Sequence, residues 1–231
     1  MNDDALILQQ PPAAGQLFLL FHGVGAEASD LAPLGRHLGQ LFPQAWVVSV
    51  NAPDASDFGQ GRQWFSVQGV TEASRPARVA ATMPRFIATV QAWQQRSGVE
   101  PAATALVGFS QGAIMALEAS GAQPGLAGRI VAIAGRFATL PAQASPDTTL
   151  HLLHGKADPV IPYGHTVQAA EHLIALGGDV TADVLPSVGH EITADTLAVL
   201  TQRLTSYIPK RLWDQAMQAA GSMPPPPPGV H

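Results

Sequence analysis

The residues Leu106-Val107-Gly108-Phe109-Ser110-Gln111-Gly112-Ala113 set Gly-x-Ser-x-Gly between an apolar run, Ala105 to Val107, and helix formers from Ala113 to Ala119. That order predicts a strand, a sharp turn with a serine at its apex, and a helix. A serine at such an elbow is held in a strained backbone conformation, so the positions two before and two after must be tiny. The strain lifts the hydroxyl out of the sheet. The first amides of the new helix have no carbonyl partner and point to the same place. Ser110 is the candidate nucleophile.

Working outward, strand and helix patterns alternate. Leu17 to Phe21 is a continuous apolar run, as expected of a strand buried on both faces of a parallel sheet, and it ends in His22-Gly23-Val24-Gly25. Asp30 is placed to cap a helix through Leu34, Leu38 and Leu41 to Phe42, with Pro33 in its first turn. Ala45 to Val50 is a further buried strand. A helix from about Ala77 to Arg96 carries Val79, Met83, Phe86, Val90 and Trp93 at helical spacing, and Pro84 predicts a kink. Arg129–Ala134, Thr149–Leu153 and Val180–Leu185 read as later strands. A helix from about Tyr163 to Leu176 and a closing helix capped by Thr193 fall among them. Leu6 to Leu8 reads as a short first strand. The alternation predicts an α/β fold, a mostly parallel sheet with helices on both faces.

One domain is expected over residues 1–208, followed by a short helix (Leu212, Trp213, Ala216, Met217) and a polyproline tail, Pro224 to Pro228, within residues 209–231. Of the 231 residues 46% are hydrophobic and 13% charged, a globular composition. The net charge of -5 and the scattered basic residues exclude a nucleic-acid surface, which needs a concentrated basic patch. The absence of cysteine excludes disulfides, thiolate metal sites and a cysteine nucleophile. Met1-Asn2-Asp3-Asp4 is acidic where a signal peptide is basic, and no apolar run has membrane-spanning length. A cytoplasmic protein without a membrane span is expected.

A serine hydroxyl needs a base, and the base needs a group to hold it. In open α/β sheets such groups gather at the carboxyl ends of strands. Downstream of Ser110, Asp158 follows the strand through Leu153, and His190 follows the strand through Leu185. Ser110, Asp158 and His190 form the expected triad, in the chain order of α/β-hydrolases. His37, His165 and His172 fall in helices and His151 within a strand; His154 is expected to pack or hydrogen-bond locally. No metal-ligand spacing is present and no cofactor is called for.

Acyl transfer also needs donors where the carbonyl oxygen becomes anionic. The backbone N–H groups of Gln111 and Val24 are the expected oxyanion donors, and His22 is expected to orient the glycine-rich turn. The long loop Asn51–Pro76 carries Trp64 and Phe65, which read either as an apolar wall for the acyl group or as anchors of the loop.

Phe21-His22-Gly23-Val24-Gly25, Gly108-Phe109-Ser110-Gln111-Gly112-Ala113, His154-Gly155-x-x-Asp158-Pro159-Val160-Ile161-Pro162 and Gly189-His190-Glu191-Ile192 together resemble the phospholipase/carboxylesterase family of α/β-hydrolases, which includes the acyl-protein thioesterases. With Gly61-Arg62-Gln63-Trp64-Phe65-Ser66-Val67-Gln68-Gly69 the likeness narrows to the bacterial YpfH-type esterases. The resemblance covers residues 17 to about 208. It implies a serine carboxylesterase without cofactor, acting on a small-molecule ester, and its triad falls on the residues already chosen; no stretch of the chain is long enough for a separate lid domain. Ala26 and Ser66 stand where the thioesterases usually carry acidic residues, so thioesterase substrate details are not carried over. An acyl thioesterase is the nearest alternative activity, and a non-catalytic scaffold with the proline tail as partner ligand is a further one. Oligomeric state is not legible.

Overall fold

The structure, a computed structural model, describes residues 5–221. The acidic N-terminus and the Pro224–Pro228 run lie outside them. In chain order the elements are β1 (Ala5–Gln9), β2 (Gln16–Phe21), α1 (Ala32–Leu41), β3 (Ala45–Val50), β4 (Asp54–Ala55), β5 (Arg62–Gln63), α2 (Arg75–Ser97), β6 (Thr104–Phe109), α3 (Gln111–Ala122), β7 (Arg129–Ile133), β8 (Thr149–Gly155), α4 (Gly164–Ala175), β9 (Asp179–Leu185), α5 (Ala194–Ser206) and α6 (Lys210–Gly221). A 7-stranded sheet runs β1-β3-β2-β6-β7-β8-β9, parallel except where β1 pairs with β3, and β4 and β5 form a separate small hairpin.

The apolar run of β2 shows why the sheet is covered twice. Leu17, Leu19 and Phe21 enter one core with Phe86 and Val90 of α2 and Met115 of α3. The alternate residues Phe18 and Leu20 enter a second core with Leu34 and Leu38 of α1 and Leu200 and Leu204 of α5. Period-2 side chains in an unbroken apolar run thus supply both faces. Burying one such side chain contributes about 1.5–3 kcal/mol, and removing one leaves a cavity in a packed interior.

The structure corrects some local expectations. Asp30 does not cap α1: residues Ala28–Leu31 form a 3-10 turn, in which the Asp30 carboxylate accepts the Glu27 N–H at 2.8 Å, and the residue before α1 is Leu31. β8 runs on to Gly155 because His154, polar in sequence, has both ring nitrogens partnered inside the fold. The helix α2 begins at Arg75 and continues through Pro84 to Ser97. The expected cap is in place at α5, where Thr193 accepts the Thr196 N–H at 3.2 Å. The terminal helix α6 presents Leu212, Trp213 and Met217 to solvent. Among the described residues no helix is long and apolar enough to cross a membrane.

Candidate active site

Ser110, the His22–Gly25 turn, Asp158 and His190 all lie beyond the carboxyl ends of parallel strands, whereas Trp64 and Phe65 follow the β4–β5 hairpin. Ser110 follows β6, the His22–Gly25 turn follows β2, Asp158 follows β8 and His190 follows β9. Adjacent parallel strands end on one edge, so groups far apart in sequence are delivered to one place.

The elbow itself is strained. Ser110 has φ 53° and ψ −116°, and its N–H donates to the Ile133 carbonyl at 2.9 Å. A β-carbon at Gly108 would come within 2.5 Å of the Gly112 and Ala113 backbone, and one at Gly112 within 2.1 Å of the Phe21 carbonyl oxygen. The first glycine lets the chain fold back on itself, and the second lets α3 press against the end of β2. Both glycines are steric requirements of the elbow.

The side chains of Ser110, His190 and Asp158 meet. The Ser110 hydroxyl lies 2.9 Å from His190 Nε2, and His190 Nδ1 lies 2.7 Å from Asp158 Oδ2. A carboxylate can only accept, so Nδ1–H is the donor to Asp158 and Nε2 is left to accept from the serine. The Asp158 side chain is 0% exposed. Its other oxygen accepts the N–H groups of Val160 at 2.7 Å and Ile161 at 2.9 Å. Burial pushes this carboxyl's pKa up, but the His190 hydrogen bond and the Ile161 and Val160 amides outweigh it and hold it below the ordinary value. Asp158 is therefore an anion held in place.

Two further residues serve this side of the serine. His154 is buried, with Nε2 2.8 Å from the Ile161 carbonyl and 3.3 Å from Asp158 Oδ2. A carbonyl is only an acceptor, so Nε2 carries the proton and Nδ1 accepts from the Thr166 hydroxyl at 2.7 Å. Burial lowers the His154 pKa, which keeps it a neutral donor beside the aspartate. Gly155 is the other. A β-carbon there would meet the Val188 carbonyl oxygen at 2.2 Å and that of Gly189 at 2.5 Å, so only glycine lets the His190 loop settle on the end of β8. The ring of Phe109 packs on His190 with centroids 5.0 Å apart. The expectation that His154 packs or hydrogen-bonds locally fits its bonds to Ile161 and Thr166; its nearness to Asp158, four residues on, is the addition the structure makes.

The other side of the serine is backbone. A β-carbon at Gly23 would lie 3.1 Å from Ser110 Cβ and 3.6 Å from Oγ, so the His22–Gly25 turn runs directly against the hydroxyl. Gln111 is the first residue of α3, where an amide has no carbonyl within the helix to bond. Both segments expected to supply donors, those of Val24 and Gln111, thus flank Ser110. His22 is buried; its Nδ1–H donates to the Gly23 carbonyl at 2.7 Å and its Nε2 accepts the Ala52 N–H at 3.0 Å. Burial lowers its pKa, so it stays neutral with both nitrogens engaged in shaping the turn.

Trp64 and Phe65 are 2% and 4% exposed. The indole packs edge-on against Phe21 and Phe86, at 5.5 Å and 5.3 Å, and Nε1–H donates to the His22 carbonyl at 3.2 Å. Of the two roles open in the sequence, anchoring is the one these contacts perform. The segment around them is also tied down: the Asp57 carboxylate accepts from the Ser66 hydroxyl at 2.7 Å and the Val67 and Gln68 amides at 2.8 Å and 3.0 Å. Hydrogen bonds from Gln63 and Ser66 lower the Asp57 pKa to about 2.

A doubly covered parallel sheet bearing a serine elbow beyond β6 is the fold of an α/β-hydrolase. Residues 2–208 match the model of the phospholipase/carboxylesterase family, and the chain belongs to that family of carboxylic-ester hydrolases. It is 50% identical over 218 residues to esterase YpfH of Escherichia coli (strain K12), covering 94% of each chain. It is 27% identical over 175 residues to acyl-protein thioesterase 1 of Saccharomyces cerevisiae, across 68% of this chain and 77% of that one. Among solved structures, the crystal structure of esterase PE8 superposes with a TM-score of 0.80 at 29% identity, covering 89% of this chain and 99% of that one.

Proposed function

We propose that the chain is a serine carboxylesterase that works through an acyl-enzyme on Ser110. The observation that carries this reading is the unbroken hydrogen-bond chain from Ser110 Oγ through His190 to Asp158 Oδ2. His190 Nε2 takes the hydroxyl proton as Oγ attacks the ester carbonyl, and Asp158 steadies the imidazolium that forms. The tetrahedral oxyanion is met by the N–H groups of Val24 and Gln111. The imidazolium then protonates the departing alkoxide, leaving the acyl group on Ser110. Water, deprotonated by the same His190 nitrogen, attacks the acyl-enzyme and releases the acid.

The acyl side is an open groove suited to short or accessible acyl groups. The segment before α2 supports this, because Trp64 and Asp57 fold it down onto the body. Residues 1–208 form the catalytic unit in this reading, and the protein works in the cytoplasm.

A fluorophosphonate probe is expected to label the wild-type protein and not Ser110→Ala; a folded wild type that stays unlabelled would refute the serine mechanism. A panel of p-nitrophenyl esters is expected to fall in kcat/KM as the acyl chain lengthens. Matched oxygen and thiol esters separate the esterase from a thioesterase using the same residues.

A further inference from the structure

We infer that the segment Arg62–Phe65 is a strap that sets the spacing of the two oxyanion donors, with the Gln111 carboxamide and the Trp64 indole as its positioning groups. This inference rests on the serine-esterase reading and adds to it a source of precision. The donors belong to segments far apart in the chain, Val24 in the turn after β2 and Gln111 at the start of α3. An oxyanion hole works only if both N–H groups aim at one oxygen within about 0.5 Å. Something must fix one segment against the other.

The strap bonds to both. On the turn, Gly25 N–H donates to the Arg62 carbonyl and Arg62 N–H to the Ala26 carbonyl, each at 2.9 Å. Trp64 Nε1–H holds the His22 carbonyl at 3.2 Å, so the strap grips the backbone on either side of Val24. On the elbow, the Gln111 side chain is read like a piece of backbone. Its Oε1 accepts the Trp64 N–H at 2.7 Å and its Nε2 donates to the Phe65 carbonyl at 2.7 Å. The residue whose amide is a proposed oxyanion donor thus uses its side chain to hold the strap that holds the other donor.

The fit has no slack. Gly61, at φ +66°, passes so near the turn that a β-carbon would lie 2.2 Å from the Gly25 carbonyl oxygen. Gln111 and Trp64 are both about 2% exposed. Because these groups are buried, the loss of one hydrogen bond leaves its partner unpaired inside the fold. A plug that merely filled space would need the indole ring but not the paired amide bonds of Gln111.

The test is kinetic, on the full chain with p-nitrophenyl acetate, and uses Gln111→Met and Trp64→Phe. Gln111→Met keeps the 111 N–H but removes both side-chain bonds; kcat is expected to fall about 10- to 100-fold with KM within about 2-fold. Trp64→Phe keeps an aromatic ring but removes Nε1–H, with an expected loss of about 3- to 10-fold. A boronic acid, whose anionic tetrahedral adduct with Ser110 places a hydroxyl oxygen in the hole, should lose affinity by the same factor as kcat. Equal melting temperature changes with unchanged kcat and boronic-acid affinity would show a structural plug and overturn the inference. Should Gln111→Met fail to fold, Trp64→Phe decides on the same readouts. The Ser110→Ala control separates the two levels: turnover surviving in that variant sinks the serine reading and the strap with it, whereas normal strap variants beside an inactive Ser110→Ala sink only the strap.

Discussion

The two sides of Ser110 are built from different materials. On the side of the proposed base, the groups aligned on the serine are side chains: His190, Asp158 and, behind them, His154. On the oxyanion side the proposed donors are main-chain amides, and the side chains present, His22, Trp64 and Gln111, serve to hold backbone. The base side depends on charge and proton affinity, and a change of one atom type at one residue can abolish it. The oxyanion side depends on distances between segments, and no single side chain carries it. The first should therefore break abruptly under substitution, and the second by degrees.

The largest effect should come from the base side. Asp158→Asn keeps size and shape but replaces an acceptor oxygen by a donor amide opposite His190 Nδ1, favouring the wrong tautomer. We expect kcat to fall by about 10⁴-fold with KM little changed. Steady-state kinetics beside a melting curve checks this; a loss under 10-fold in a folded variant would mean that Asp158 does not orient the base. Gly155→Ala comes next, because its β-carbon would push on the Val188 and Gly189 carbonyls and move His190 away from Asp158. A displacement of about 1 Å is worth about 100-fold in kcat. The strap variants should sit below both, which is the graded behaviour expected of the oxyanion side.

The same contrast governs what the sequence makes legible. Ser110, Asp158 and His190 stand out because each is a reactive residue type just after a strand, and strands announce themselves through apolar runs such as Leu17–Phe21. Gln111 was legible as a backbone donor, since any residue after the nucleophile supplies an N–H. Its carboxamide gave no signal, because a bond to Trp64 across 47 positions has no local pattern. Trp64 and Phe65 stayed undecided because an acyl wall and a buried anchor ask for the same apolar residues. Asp57 carries no signal in the sequence that sets it apart from other loop acids, although it collects the hydrogen bonds that fold the segment. Asp30 misled because a 3-10 turn and a helix start use the same capping residues.

His154 offers a finer probe of the base side. Its Nε2 stands 3.3 Å from the Asp158 oxygen that holds His190, so it shares that oxygen without touching the serine. His154→Gln can still donate to the Ile161 carbonyl, but it loses the rigid ring whose Nε2 lies 3.3 Å from Asp158 Oδ2. We expect about a 10-fold drop in kcat with KM unchanged. Loss of stability alone, with kcat intact, would reduce His154 to packing.

The smallest effect on catalysis, yet one needed to read any pH profile, concerns His151 on β8. This residue is 0% exposed, its Nδ1 is 2.8 Å from the Thr181 hydroxyl, and burial with nearby Arg129 lowers its pKa from 6.5 to about 4. Above pH 6.5 it is neutral in both folded and unfolded chains and contributes nothing to pH dependence. Below 6.5 the unfolded chain takes up the proton while the fold resists until about pH 4, so stability drains across that window. The full drop amounts to about 3 kcal/mol, and buried His22 and His154, shifted in the same direction, add to it. The carboxylates act later: Glu72, lowered from 4.5 to about 2 by its hydrogen bonds to Arg75 and Arg136, gives up its contribution only as pH falls through that lower range. Melting temperature should therefore begin to fall near pH 6.5. In His151→Gln the slope between pH 6.5 and 4 should flatten while the pH–rate profile keeps its shape. If the activity profile moved together with the melting curve, acid inactivation would be unfolding, and the base side could not be titrated separately from the fold that carries it.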